Sequence, residues 1–168
     1  PSFKQVAEHL PVPAAIFDTS MRVLFANERW IKNFRLEDKS VVGRSHYVIF
    51  PEISEEWRTI HRKCLSGYVH RDEEVAFRRL DGSTSWLRRE IRPWYADDGT
   101  VGGLIIYAED ITDSRETRVA LEQQHRFLRQ VIDLNTSFVF AKDRDGRFTL
   151  VNKALADAYG STPEEMVG

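Results

Sequence analysis

Residues 68–112 read YVHRDEEVAFRRLDGSTSWLRREIRPWYADDGTVGGLIIYAEDIT. Two Asp-Gly pairs, Asp81-Gly82 and Asp98-Gly99, separate segments that alternate apolar and polar residues. Such pairs supply the positive-φ positions of tight hairpins. The stretch therefore predicts three long antiparallel strands, over residues 68–79, 83–95 and 100–111. In the middle strand Leu87, Ile91 and Pro93 share one face, while Trp86, Arg88, Glu90, Arg92 and Trp94 share the other. The first face suits a core, the second a partner surface or solvent. Gly102-Gly103, inside the third strand, marks a place of close packing rather than a phosphate loop.

Upstream the period changes. Residues 14–18 and 22–26 read as two short strands around the polar turn Thr19-Ser20. Asn27 suits the N-cap of a short helix carrying Trp30, Ile31 and Phe34. Residues 54–65 form the clearest helix of this half: Ser54 caps it, Trp57, Ile60, His61, Cys64 and Leu65 recur on one face, and Gly67 stops it. Phe3, Val6, Ala7 and Leu10 predict a short amphipathic helix over residues 2–10, ended by Pro11 and Pro13. Downstream, residues 112–134 hold no Gly or Pro and read as one long helix. Thr117, Leu121, Gln124, Leu128 and Val131 fall at heptad spacing there, a weak coiled coil of about two and a half heptads.

The beginning of the chain returns near its end. A shift of 125 residues aligns Asp18, Arg22, Asn27, Val42 and Gly43 with Asp143, Arg147, Asn152, Val167 and Gly168, without a gap. The reading is a tandem repeat whose second copy stops after its first two strands and helices. Without long strands that copy cannot close a sheet, so Phe138, Phe140, Phe148 and Leu150 are expected to seek another surface, for instance in a swapped dimer.

Composition narrows the function. A length of 168 residues allows one full domain and part of another, and the opening Pro1 predicts an excised piece. Hydrophobic residues make up 42% and charged residues 30%, ordinary for a globular chain. With 24 Lys and Arg against 26 Asp and Glu, the net charge is −2, without the basic surplus of a nucleic-acid-binding domain. The expectation is therefore no nucleic-acid partner. The longest apolar run, near residues 101–108, falls well short of the ~18–20 residues that span a bilayer, so no membrane insertion is expected. Cys64 is the only cysteine, which fits a reducing, cytoplasmic compartment. A Gly-rich phosphate loop with Lys, HExxH, GxSxG and paired cysteines are all missing, so no enzyme activity is expected of this segment.

Four pieces in this order resemble a PAS domain: Val23-Leu-Phe-Ala-Asn27, Val42-Gly43, Arg79-Leu-Asp-Gly-Ser83 and the closing Asp110-Ile-Thr112. The resemblance implies an α+β fold, a five-stranded antiparallel sheet of order 2-1-5-4-3 with short helices on one face, plus a long C-terminal linker helix. It divides the chain into an N-terminal amphipathic helix (1–12), a PAS domain (13–112), a signalling helix (113–135) and the truncated start of a second PAS domain (136–168). It also implies a sensory role upstream of an output such as a histidine kinase or diguanylate cyclase, in two-component or cyclic-di-GMP signalling. A small-molecule ligand and a homodimer are the expected partners. The alternative is a ligand-free dimerisation or interaction module.

The space between helix and sheet is the expected ligand pocket. Trp57, Ile60, His61 and Cys64 reach it from the helix; His46, Tyr47 and Trp30 come from the preceding segments. His61 is either a core histidine bonded to its surroundings or a metal ligand. The segment Trp57-Arg-Thr-Ile-His61 resembles the haem-bearing helix of oxygen-sensing PAS domains, which implies haem on His61. Those sensors hold oxygen with an Arg on a later strand; here Glu73 and Glu74 stand near the middle of the first long strand, and an ionised carboxylate cannot donate to oxygen. Flavin stacked on the tryptophans is the second cofactor candidate, although the Asn-Cys-Arg motif of light-sensing relatives does not occur. Cys64 is either a reactive thiol next to Arg62 and Lys63 or a packed core residue. His70 is expected to be an exposed strand residue. Asp110 and Thr112 are the candidates for signal transmission, because both can bond the free N–H groups of a helix start.

Overall fold

The computed structural model describes residues 7–37 and 39–168. The helix expected over residues 2–10 falls largely on residues 1–6, outside the described residues. The first strand, β1 (Ala14–Asp18), is closed to solvent at four of its five positions. It is flanked on both edges, by β2 (Val23–Ala26) and by β5 (Val101–Asp110). The Asp18 carboxylate closes the turn after β1 by accepting from the Ser20 and Arg22 N–H groups, both at 2.9 Å.

Three short helices follow. The first, α1 (Glu28–Asn33), begins at Asn27, whose Oδ1 accepts from the N–H groups of Trp30 (2.9 Å) and Ala14 (3.0 Å). The same amide donates to the Val12 carbonyl at 2.9 Å, so one buried side chain joins β1 to the helix. The second, α2 (His46–Ile49), is capped by Ser45. The third, α3 (Glu55–Leu65), is capped by Ser54, with Glu55 and Glu56 in its first turn and Arg62 and Lys63 in its last, the charge order a helix dipole favours.

The long strands are β3 (His70–Arg78), β4 (Thr84–Tyr95) and β5, and the five strands form one antiparallel sheet of order β2-β1-β5-β4-β3. Gly82 (φ +85°) and Gly99 (φ +82°) occupy the two hairpin turns. Pro93 is tolerated in β4 because the pairing with β3 ends at Ile91, which leaves only β5 beside it. The register of β3 shifts between Asp72 and Val75. This bulge leaves Glu73 and Glu74 exposed, so the expected carboxylates at the ligand are corrected: neither faces the core. On β5, a Cβ on Gly102 would come within 2.2 Å of the Trp94 ring, and one on Gly103 within 1.9 Å of the Phe17 carbonyl oxygen. Trp94 Nε1 donates to that same oxygen at 2.9 Å. The glycine pair is therefore the seat of Trp94.

The core lies between the helices and the inner face of the sheet, with Phe17, Trp30, Phe34, Phe50, Phe77, Leu87, Ile91 and Leu104 packed together. Helix α4 (Thr112–Leu134) follows, and the chain divides into two compact units between Asp113 and Ser114. Within the second unit, β6 (Phe140–Lys142) pairs with β7 (Phe148–Val151), followed by α5 (Lys153–Ala158) and α6 (Pro163–Met166).

The repeat is visible atom by atom. Asp143 accepts from Arg147 N–H at 3.0 Å as Asp18 does from Arg22. Asn152 Oδ1 accepts from the N–H groups of Val139 and Leu155 as Asn27 does from Ala14 and Trp30. Val151, Leu155 and Ala156, with Phe148 and Met166, make a small core of their own, while Phe138 and Phe140 remain exposed.

Candidate functional site

Between α2, α3 and the inner face of β3–β5 lies a cavity of about 30 Å³. Its walls are mostly apolar, from Trp30, Phe34 and Phe50 on one side to Leu87, Ile91 and Ile106 on the other. Three polar side chains also line it: His46, His61 and Arg89. Of the residues expected at the pocket, Trp30, His46, Trp57 and His61 line this cavity. Ile60 packs half-buried against the core. Tyr47 stands behind His61, its hydroxyl 3.0 Å from Nδ1. Cys64 is fully buried, its thiol 3.8 Å from the Ile91 carbonyl oxygen. Burial pushes that thiol above its usual pKa, which favours packing over reactivity.

Arg89 is the residue that the sequence reading missed. It stands on β4 between Leu87 and Ile91, and strand alternation alone places all three on the inner face. The signal is present in the alternation of Leu87, Arg89 and Ile91, although only the apolar members of that face stand out as core. The side chain is only 3% exposed. Its Nε donates to Asp72 Oδ2 at 2.5 Å, and its guanidinium carbon lies 3.7 Å from the centroid of the Trp57 ring, a cation–π contact that fixes the guanidinium against α3. Asp72 also meets His70 Nε2 at 2.9 Å through the same oxygen. His70 is thus half-buried and paired, not the exposed residue expected. Burial would raise the Asp72 carboxyl, but Arg89 and His70 outweigh it and hold the group below its ordinary value.

The two cavity histidines are neutral. Burial lowers the pKa of His61 from 6.5 to about 3, with the Arg89 charge adding to the effect. Burial also holds His46 well below its ordinary value, with His61 second. Two buried atoms at this cavity lack a hydrogen-bond partner, His46 Nδ1 and Arg89 Nη1.

Haem and flavin can be tested against this geometry. Cofactor sites enclose about 300–1,000 Å³, and this cavity encloses about 30 Å³. The His46 ring centroid is also only 5.6 Å from that of His61. Neither candidate cofactor fits a cavity of this size. Among the described residues, no group of three His, Cys, Asp or Glu is placed to hold a metal ion.

A second set of contacts lies where β5 meets α4. Thr112 Oγ1 accepts from the Trp86 N–H of β4 at 2.8 Å and donates to Asp110 Oδ1 at 2.5 Å. Asp110 Oδ1 also accepts from the Thr112 N–H at 3.0 Å, while the Asp110 N–H donates to Asn33 Oδ1 of α1 at 3.2 Å. Arg79 stands 3.7 Å from the other Asp110 oxygen. Asp110 thus bonds the first N–H of α4, whereas the Thr112 hydroxyl turns back to β4 instead of capping the helix.

Known proteins share this architecture. A family model described as PAS fold matches residues 7–116, and one described as PAS domain matches residues 135–168. Among solved structures, the PAS domain of a protein from Colwellia psychrerythraea is 14% identical at a TM-score of 0.54, covering 65% of this chain and 93% of that one. An RNA-binding light-oxygen-voltage receptor is 21% identical at a TM-score of 0.51, covering 73% of this chain and 37% of the receptor. The VqmA–ligand–DNA complex of Vibrio cholerae is 19% identical at 0.50, covering 67% of this chain and 53% of VqmA. At these identities the likeness is one of fold, and in the last two it spans only part of the other protein.

These two structures correct the expectation of no nucleic-acid partner. The fold occurs both in an RNA-binding receptor and in a protein bound to DNA. The charge sum describes one segment, and a longer chain can meet nucleic acid through another. No described helix is long and apolar enough to cross a membrane. The sheet order, the helices on its inner face and the family match over residues 7–116 agree: the chain belongs to the PAS-fold family.

Proposed function

We propose that residues 13–112 form a cytoplasmic, non-catalytic sensor that takes a small ligand into the cavity beside Arg89 and passes the change through Asp110 and Thr112 into α4. The output is a histidine kinase or diguanylate cyclase domain to which α4 and the second unit lead. One observation carries this reading: β4 supplies both Arg89 at the cavity and the Trp86 N–H that holds Thr112. A ligand that displaces β4 pulls directly on the start of α4. Such a ligand shifts the helix only by its difference in affinity between the two states. The single cysteine, buried and free, accords with a reducing compartment.

The test is a thermal-shift screen of small molecules, followed by hydrogen exchange on any hit. A hit is expected to change amide protection around residues 110–120. In Thr112→Val the hit should still bind, with that change lost. Binding that leaves the junction untouched in the wild-type protein rejects the transmission route. The small cavity favours a second reading, an interaction module whose own side chains fill the space. A screen of charged and neutral compounds without a single hit would establish that reading instead.

A further inference from the structure

We propose that the cavity binds a small planar oxyanion, a carboxylate of one or two carbons, on the Arg89 guanidinium with His46 and His61 as neighbouring donors. The inference rests on the ligand-sensor reading above and names the chemistry of that ligand.

The polar atoms at the cavity are of one kind. Arg89 Nη1 is a buried cationic N–H group with no partner. Its charge is only partly met, because Asp72 engages Nε. His46 is 6% exposed and its Nδ1 has no partner; in the tautomer protonated there it donates. His61 has Nδ1 taken by the Tyr47 hydroxyl. With the hydroxyl as donor, the ring proton resides on Nε2. Three nitrogen groups thus line one space that no carboxylate lines. A buried donor left unmatched is costly, so the partner that suits these groups is an acceptor. The guanidinium makes a charged acceptor the favourable one.

Size and surroundings narrow the ligand further. The cavity of about 30 Å³ is two to three times the ~10–15 Å³ that a single water requires. This restricts the occupant to formate or acetate unless α3 shifts outward. The remaining walls are aromatic and aliphatic, which suits the methyl group of acetate and excludes a second charge. Trp57 stacks on both Arg89 and Phe77, so the guanidinium plane is held before any ligand arrives.

The experiment is a titration of the 168-residue protein with sodium formate, sodium acetate and sodium nitrate, with sodium chloride at equal ionic strength and acetamide as controls. Nuclear magnetic resonance follows the Arg89 Nε–H signal and the His46 and His61 ring nitrogens, and the melting temperature is read in parallel. Formate or acetate is expected to move these signals saturably. At a hundredfold excess over Kd the melting temperature should rise by about 10 °C. Arg89→Met should abolish both effects, and His46→Phe should weaken binding about tenfold. The wild-type titration decides even if Arg89→Met fails to fold. If acetamide acts as well as acetate, the oxyanion inference is wrong and the sensor reading stands. Nitrate binding without a response to either carboxylate overturns the carboxylate assignment. If none of the anions moves the Arg89 signal beyond chloride, the inference fails, and the compound screen then decides the fate of the sensor reading separately.

Discussion

His61 and His46 sit where a proton is unwelcome. Each is buried in the core, and the Arg89 charge stands beside His61. The unfolded chain takes up a proton on each histidine near pH 6.5, while folded His61 declines it down to about pH 3. Stability is therefore complete above pH 6.5 and falls as the solution is acidified toward the folded value. For His61 alone the loss between pH 7 and pH 5 is about 2 kcal/mol, and His46 adds in the same direction. Chemical denaturation across this range should show the slope, and His61→Gln should flatten it. An unchanged slope in that variant would place the acid sensitivity elsewhere. Gly103 is a second residue with little freedom, since any Cβ meets the Phe17 carbonyl oxygen. Gly103→Ala is expected to cost more than about 2 kcal/mol, by pushing β5 away from β1. Equilibrium unfolding measures this, and a loss under about 0.5 kcal/mol would mean that the strands yield.

Among the elements, the joint between β1 and α1 depends on one amide. Asn27 accepts from two backbone N–H groups and donates to a carbonyl, all in a buried setting. Asn27→Ala strands those groups, at about 2–4 kcal/mol. Asn152 occupies the same place in the second unit, where Oδ1 bonds Val139 and Leu155 and Nδ2 reaches three carbonyls. Asn152→Ala should release amide protons across β6 and β7 while those of β1 and β5 keep their protection. The alignment of Asp18, Arg22 and Asn27 with Asp143, Arg147 and Asn152 was legible because each residue performs a local task, an Asx turn or a helix cap, within a few positions. The bulge in β3 was not legible in the same way. It is defined by pairing with β4, and residues 73–74 show no Gly or Pro to mark it.

On the scale of the whole molecule, the two units differ in what they bury. The first has a five-stranded sheet with a continuous aromatic and aliphatic core. The second has two strands over Val151, Leu155 and Ala156, with Phe138 and Phe140 exposed. Two-stranded sheets are marginal in water. Amide exchange should therefore be faster over residues 138–168 than over β1 and β5; equal protection would show that further contacts stabilise the second unit. The cavity of about 30 Å³ leads to another expectation, a near-ultraviolet and visible spectrum of tryptophan and tyrosine alone. A violet haem band or a flavin band in the purified protein would show that the cavity opens far beyond this geometry.

Strand alternation, Asp-Gly turns, caps at Asn27 and Ser54, and the internal repeat could all be read in the order of residues. Each depends on neighbours within a few positions, and periodicity records the buried face directly. The cavity could not be read that way. Its volume follows from how tightly α3 seats on the sheet through Trp57 and His61. The pairing of Arg89 with Asp72 needs the shifted register of β3, which brings two residues from neighbouring strands to one point. Whether a buried charge is matched is a property of three-dimensional neighbours, and those exist only once the sheet has formed.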